Sequence, residues 1–156
     1  MKTSTPRLLM AAALIAVAGQ AFAADAGPST PDVLAAARAR IAEKKWPAAI
    51  DELKRVNATE SADWNNLMGY SSRKQAAPDY AAAAKFYDEA LRIDPKHRGA
   101  LEYSGELSLI TSDLPKAEER LAALDKACRF SCEEYRDLKR SIERYKAAGN
   151  KYVAAQ

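Results

Sequence analysis

Residues 79–95 read DYAAAAKFYDEALRIDP. Asp79 suits a helix N-cap, and Asp94-Pro95 suits a stop, because proline disfavours helical backbone in the residue before it. Between these signals Tyr80, Ala83, Tyr87 and Ala90 are spaced three, four and three apart, so they share one helical face. The same slots recur 34 residues away on both sides. Trp46, Ala49, Leu53 and Val56 fill them upstream, and Leu114, Ala117, Leu121 and Leu124 fill them downstream. A 34-residue period marks stacked helix–turn–helix units, in which each pair of helices completes the burial of its neighbour. The small second slot (Ala49, Ala83, Ala117) predicts close approach of the two helices of a unit.

Each periodic B helix is preceded by an A helix. The spacing predicts A helices over about 31–44, 62–74 and 97–111, and B helices over about 46–56, 79–93 and 114–128. Thr30 is the expected N-cap of the first, with Pro31 in its first turn, where the missing N–H costs nothing. Asp79 and Asp113 are expected caps further on. The A helices carry Ala37, Gly69 and Gly105 where a B helix should cross. Glycine inside a helix costs about 1 kcal/mol against alanine, so its use here implies close packing. Trp46, Tyr80 and Tyr87 occupy repeat slots and are expected in the core.

The amino-terminal 23 residues read as a secretory signal peptide. Lys2 and Arg7 precede the apolar run Leu8 to Ala18, and Ala21-Phe22-Ala23 is a small-x-small cleavage site. A bilayer span needs about 20 apolar residues, more than this run has. The processed chain is expected to start at Ala24, with 24–29 as a flexible lead-in and 149–156 as a flexible tail. The net charge is +3 for the whole chain. Loss of Lys2 and Arg7 brings it nearer neutrality, which gives no electrostatic case for nucleic acid or an anionic membrane as partner.

Cys128 and Cys132 are the only cysteines, flanking Arg129-Phe130-Ser131. In an exported chain a disulfide is the expected state. So short a loop adds only about 2 kcal/mol, and acts locally by pinning the C-terminal helix to the end of the stack. The alternative is a redox or copper-binding pair, since thiolates suit Cu(I), but no other thiol, Met tract or histidine cluster accompanies it. The C-terminal helix is amphipathic and expected over 131–148. Ser131 and Glu134 read as its capping box. Tyr135, Leu138, Ile142 and Tyr145 form its apolar stripe, opposite Arg136, Lys139, Arg140, Glu143 and Lys146. It would cover the last open edge of the stack.

Trp64-Asn65-Asn66-Leu67-Met68-Gly69-Tyr70, with Ala83, Tyr87, Ala90-Leu91 and Asp94-Pro95, resembles a tetratricopeptide repeat, and so do Gly105, Leu114, Ala117, Leu121 and Leu124. The resemblance covers residues 30 to about 128. It implies an all-α fold: a short right-handed α-solenoid of about three units (30–61, 62–97, 98–130) with a capping helix. Residues 67–74, 99–107 and 132–135 are also similar to a group of small exported bacterial repeat proteins, which implies a periplasmic location rather than an activity. In the tetratricopeptide family the A helices line a concave groove. By that resemblance Asn66, Tyr70, Arg73, Glu102 and Glu106 would point into it. The other reading is a surface pairing of Arg73 with Glu102 or Glu106 across units. The carboxylate-gripping form of this groove uses Lys and Asn. Glu102 and Glu106 stand where that form would be basic, which argues against capture of an acidic C-terminus.

There is no Gly-rich phosphate loop, nucleophile elbow or zinc spacing, and His97 reads as a lone solvent-facing loop histidine. The expected function is therefore a periplasmic, non-enzymatic interaction module without cofactor or metal, a monomer or weak dimer that takes a peptide or exported protein. The alternative is a thiol or copper carrier acting through Cys128 and Cys132.

Overall fold

The computed structural model describes residues 32–154. The expected signal peptide, its cleavage site, the lead-in, Thr30 and Pro31, and the last two residues of the tail lie outside the described residues. Seven helices run through the described chain: α1 (Ala35–Ala42), α2 (Trp46–Val56), α3 (Ala62–Lys74), α4 (Tyr80–Ile93), α5 (Arg98–Ile110), α6 (Leu114–Ala127) and α7 (Glu133–Ala147). No strand occurs among the described residues.

Local signals account for most boundaries. Asp79 and Asp113 cap α4 and α6, accepting hydrogen bonds from the Ala82 and Lys116 amides at 2.8 and 3.0 Å. Ser61 caps α3 through the Trp64 amide at 3.3 Å. Three expectations fail. The first helix is shorter than 31–44: it starts only at Ala35, after a turn in which Asp32 Oδ1 accepts from the Leu34 amide at 2.9 Å, and it ends at Ala42, before Lys44 at φ 57°. The box of Ser131 and Glu134 does not form. Cys132 takes the N-cap position of α7 and supplies no side-chain cap. His97 is not a solvent-facing loop residue, since its Nδ1 accepts from the Ala100 amide at 3.0 Å and caps α5.

The C-termini of α1, α5 and α7 close alike. After α5, the Ser112 amide donates to the Leu109 carbonyl and the Asp113 amide to the Ser108 carbonyl. Lys44 and Lys45, and Gly149 and Asn150, repeat this double closure. It is the Schellman arrangement, which requires a left-handed residue and favours glycine there. Ser112 has φ 63°. Ser112→Gly is expected to stabilise the protein by about 0.5–1 kcal/mol, read as a higher urea midpoint with an unchanged slope. An unchanged or lower midpoint would count against this account of the turn. The closure after α7 holds Gly149 and Asn150 on the end of that helix.

The helices follow a simple contact order. Each packs on the next in sequence, and α1, α3, α5 and α7 also touch in that order. The backbones of α2, α4 and α6 closely approach only odd-numbered helices; α4 and α6 meet through side chains, Arg120 and Lys116 reaching Asp88 at 3.6 and 3.9 Å. The repeated alanines Ala49, Ala83 and Ala117 are fully buried, as are Leu53 and Tyr87 in the third slot. Tyr80 departs from expectation: it is 38% exposed, because the first slot lies at the open N-terminal end of α4. Trp46 is only half-buried.

Gly69 has a packing role, though its contact is Tyr87 rather than Ala83. A Cβ at 69 would lie 2.7 Å from the Tyr87 ring. At Gly105 a Cβ would meet Leu138 of α7 at 2.6 Å, so this glycine mainly admits the final helix rather than its own B helix. The fully buried Tyr87 ring has no space to retreat into. Gly69→Ala is therefore expected to cost about 1–2 kcal/mol, overpacking outweighing the gain in helix propensity. Chemical denaturation reads the loss; a stabilised variant would show that the two helices have slack.

Candidate functional site

Asn66, Tyr70 and Arg73 lie on α3, and Glu102 and Glu106 on α5. The two helices touch, and all five residues are buried or half-buried along their seam. Arg73 Nη2 donates to Glu106 Oε2 at 2.8 Å, with the Arg73 side chain 3% exposed and that of Glu106 19%. The Arg73–Glu106 pair foreseen as a surface contact is thus a largely buried one. The Arg73 guanidinium carbon also stands 5.7 Å from the ring centres of both Tyr70 and Tyr103, whose rings are 4.6 Å apart. Trp46 meets the other edge of Tyr70 at 5.8 Å. A cation enclosed this way is held by its carboxylate and by the faces of two aromatic rings.

Burial opposes the Arg73 charge, but Tyr87 and Glu106 outweigh it and raise the pKa further above its ordinary value. Burial raises the hydroxyls of Tyr70, Tyr87 and Tyr103. Glu102 stands apart. It is 8% exposed and is in none of the side-chain hydrogen bonds or ion pairs among the described residues. Burial pushes its carboxyl up to about 8; the charges of Glu106, Asp137 and Glu134 add to this, and Arg73 opposes it. Asn66 packs beside Gly99, one turn before Glu102, with its Oδ1 buried and unpartnered.

Sequence reasoning missed Glu134, Asp137, Ser141 and Arg144. Their spacing of three, four and three marks a second stripe on α7, beside the apolar one. Glu134 pairs with Arg98 of α5 at 3.5 Å, and Arg144 donates to Ser141 Oγ at 2.8 Å. Tyr152, past the end of α7, is 39% exposed; partial burial raises its hydroxyl, with Glu106 adding to the effect. The seam thus has an acidic end around Glu102 and a mixed end around Arg73 and Tyr152.

A charged row crosses the N-terminal ends of the odd helices. Asp63 accepts from Arg38 of α1 at 2.9 Å and lies 2.8 Å from His97 Nε2. Burial works against the Asp63 charge, but His97 and Arg38 prevail and lower its pKa. A separate pocket of about 350 Å³ lies between α4, α5 and α6, with Tyr80, Ala84 and Leu107 among its walls.

Cys128 and Cys132 are disulfide-bonded, tying the end of α6 to the start of α7. In this form neither sulfur is the thiolate that a metal would need. Phe130, at the tip of the closed loop, is 88% exposed. No group of three or more His, Cys, Asp or Glu able to hold a metal ion occurs among the described residues, and no described helix is long and apolar enough to cross a membrane. No protein-family model matches this chain, and no curated protein matches it.

Proposed function

We propose that this protein is an exported, periplasmic interaction module of the tetratricopeptide type, which takes an extended segment of a protein partner along the inner face of α3, α5 and α7. One observation carries the reading. The backbones of the odd-numbered helices approach one another in chain order, while those of the even-numbered helices closely approach only odd-numbered neighbours. Such a contact order supports a short solenoid with its A helices innermost and α7 closing the stack; the right hand is what the tetratricopeptide resemblance implies. The seam of α3 and α5 gathers tyrosines and charged residues, the side chains that anchor interfaces. The disulfide agrees with an oxidising compartment.

The test is capture from a periplasmic extract by the processed protein and by Tyr70→Ala and Tyr103→Ala variants whose helical circular dichroism is intact. Loss of an interface tyrosine typically costs at least about 1–2 kcal/mol, or roughly tenfold in affinity. The reading predicts a partner whose recovery falls accordingly in both variants. Recovery unchanged in both would remove this face from the account. The thiol-carrier alternative predicts free thiols on protein isolated under alkylation, whereas a structural bridge predicts two blocked cysteines.

A further inference from the structure

We propose that the acidic end of the seam is a subsite for a primary ammonium group on an extended chain, presented by a lysine side chain of the bound partner, with Glu102 as its anchor. This rests on the groove reading above.

The geometry supports the assignment in three ways. First, Glu102 is more than nine-tenths buried, yet it has neither counter-ion nor hydrogen-bond donor among the described residues. Its oxygens are not fully occluded and retain access to solvent. A carboxyl group left in that state is costly unless something completes it. Second, the groups around it share its sign. Arg98, one turn earlier on α5, is engaged by Glu134 at 3.5 Å, which brings that α7 carboxylate beside the same face, and Asp137 lies one turn later on α7. Third, the neighbouring cations already have carboxylate partners: Arg73 is held by Glu106, Arg98 by Glu134, and Arg140 by Asp137. A cation from outside would be the missing charge. The adjacent Tyr103 ring offers an apolar wall for the methylene stem of a lysine.

The charged and titratable groups around Glu102 are Tyr70 and Arg73 from α3, Tyr103, Glu106 and Arg98 from α5, and Glu134 and Asp137 from α7. α4 and α6 pack on other faces of α5, through Tyr87 against Leu107 and Arg120 against Gly105. With its carboxyl at about 8, Glu102 is mostly protonated at neutral pH. Capture of an ammonium ion must therefore release that proton. Affinity should rise with pH by up to about tenfold per unit below pH 8 and level off above it.

Calorimetric titration of the processed protein tests this, using a capped peptide of glycines and lysines, the same peptide with glutamates in place of lysines, and cadaverine. The lysine peptide is expected to bind with that pH dependence, while the glutamate peptide does not bind. Glu102→Gln should weaken the lysine peptide by about 30-fold or more and abolish the pH dependence. Glu134→Gln, on the rim, should weaken it a few-fold. Equal affinity of wild type and Glu102→Gln, or equal binding of both peptides, would overturn the proposal. Cadaverine binding as tightly as the lysine peptide would overturn the partner lysine in favour of a free diamine. A periplasmic partner captured with no dependence on Glu102 would leave the groove reading standing and sink this subsite alone.

Discussion

Arg73→Ala is expected to lower the free energy of unfolding by about 3–5 kcal/mol. Arg73 is 3% exposed and Glu106 19% exposed in a pair 2.8 Å apart. Removing the guanidinium leaves the Glu106 carboxylate largely buried without its counter-ion, and it empties the space shared by the Tyr70 and Tyr103 rings. Both effects have the same sign. The double variant Arg73→Met with Glu106→Leu should recover most of the loss, because an apolar pair of similar volume needs no charge compensation. Urea denaturation of the single and double variants reads the difference. A loss below about 1 kcal/mol for Arg73→Ala would place the pair in the class of exposed ion pairs, the surface pairing that the sequence also allows.

Glu102→Gln should act in the opposite direction, and only at higher pH. The carboxyl is raised from its ordinary 4.5 to about 8, chiefly by burial. Between these values the folded state keeps a proton that the unfolded chain has released. The stability this confers is full below about pH 4.5 and is lost as pH rises through about 8. Wild type should therefore lose stability relative to Glu102→Gln across that window, by an amount on the order of 3–5 kcal/mol. Thermal unfolding of both proteins at pH 5, 7 and 9 measures it. Parallel melting temperatures at all three would show that Glu102 ionises without penalty. The same carboxyl that destabilises the empty groove at high pH is the one proposed to receive the partner's ammonium group, so ligand should narrow the gap.

The helices are legible in the sequence because periodicity and caps act locally. Residues 46–56 and 62–74 are delimited to the residue, and Asp79 and Asp113 cap as their position demands. The failures have physical reasons. Non-glycine residues in left-handed conformation, such as Lys44, carry no strong sequence signal, so the first helix ends sooner than its pattern suggests. Cys132, one half of the disulfide, occupies the cap position, and the box of Ser131 and Glu134 never assembles. Gly69 and Gly105 announce close packing, but a one-dimensional pattern cannot say which side chain arrives. Tyr87 and Leu138 do so from different helices.

The candidate site is half legible. Asn66, Tyr70, Arg73, Glu102 and Glu106 do lie along one seam, since helical spacing fixes which residues share a face. Their burial cannot be read from spacing, because it depends on how closely α3 and α5 approach. The part supplied by α7 is hidden behind the stronger signal of its apolar stripe. Glu134 and Asp137 matter only once that helix is laid beside α5, and these are the residues that make one end of the seam acidic.

Site-specific photocrosslinking addresses the central claim most directly. Benzoylphenylalanine placed at Tyr70 or Tyr103, in protein exported in living cells, samples the inner face of the odd-numbered helices. The same probe at the exposed Lys85 samples the outer surface of α4. The account predicts a discrete crosslinked partner from positions 70 and 103 and none from position 85. Crosslinks of equal yield from position 85, with none from 70 or 103, would contradict it.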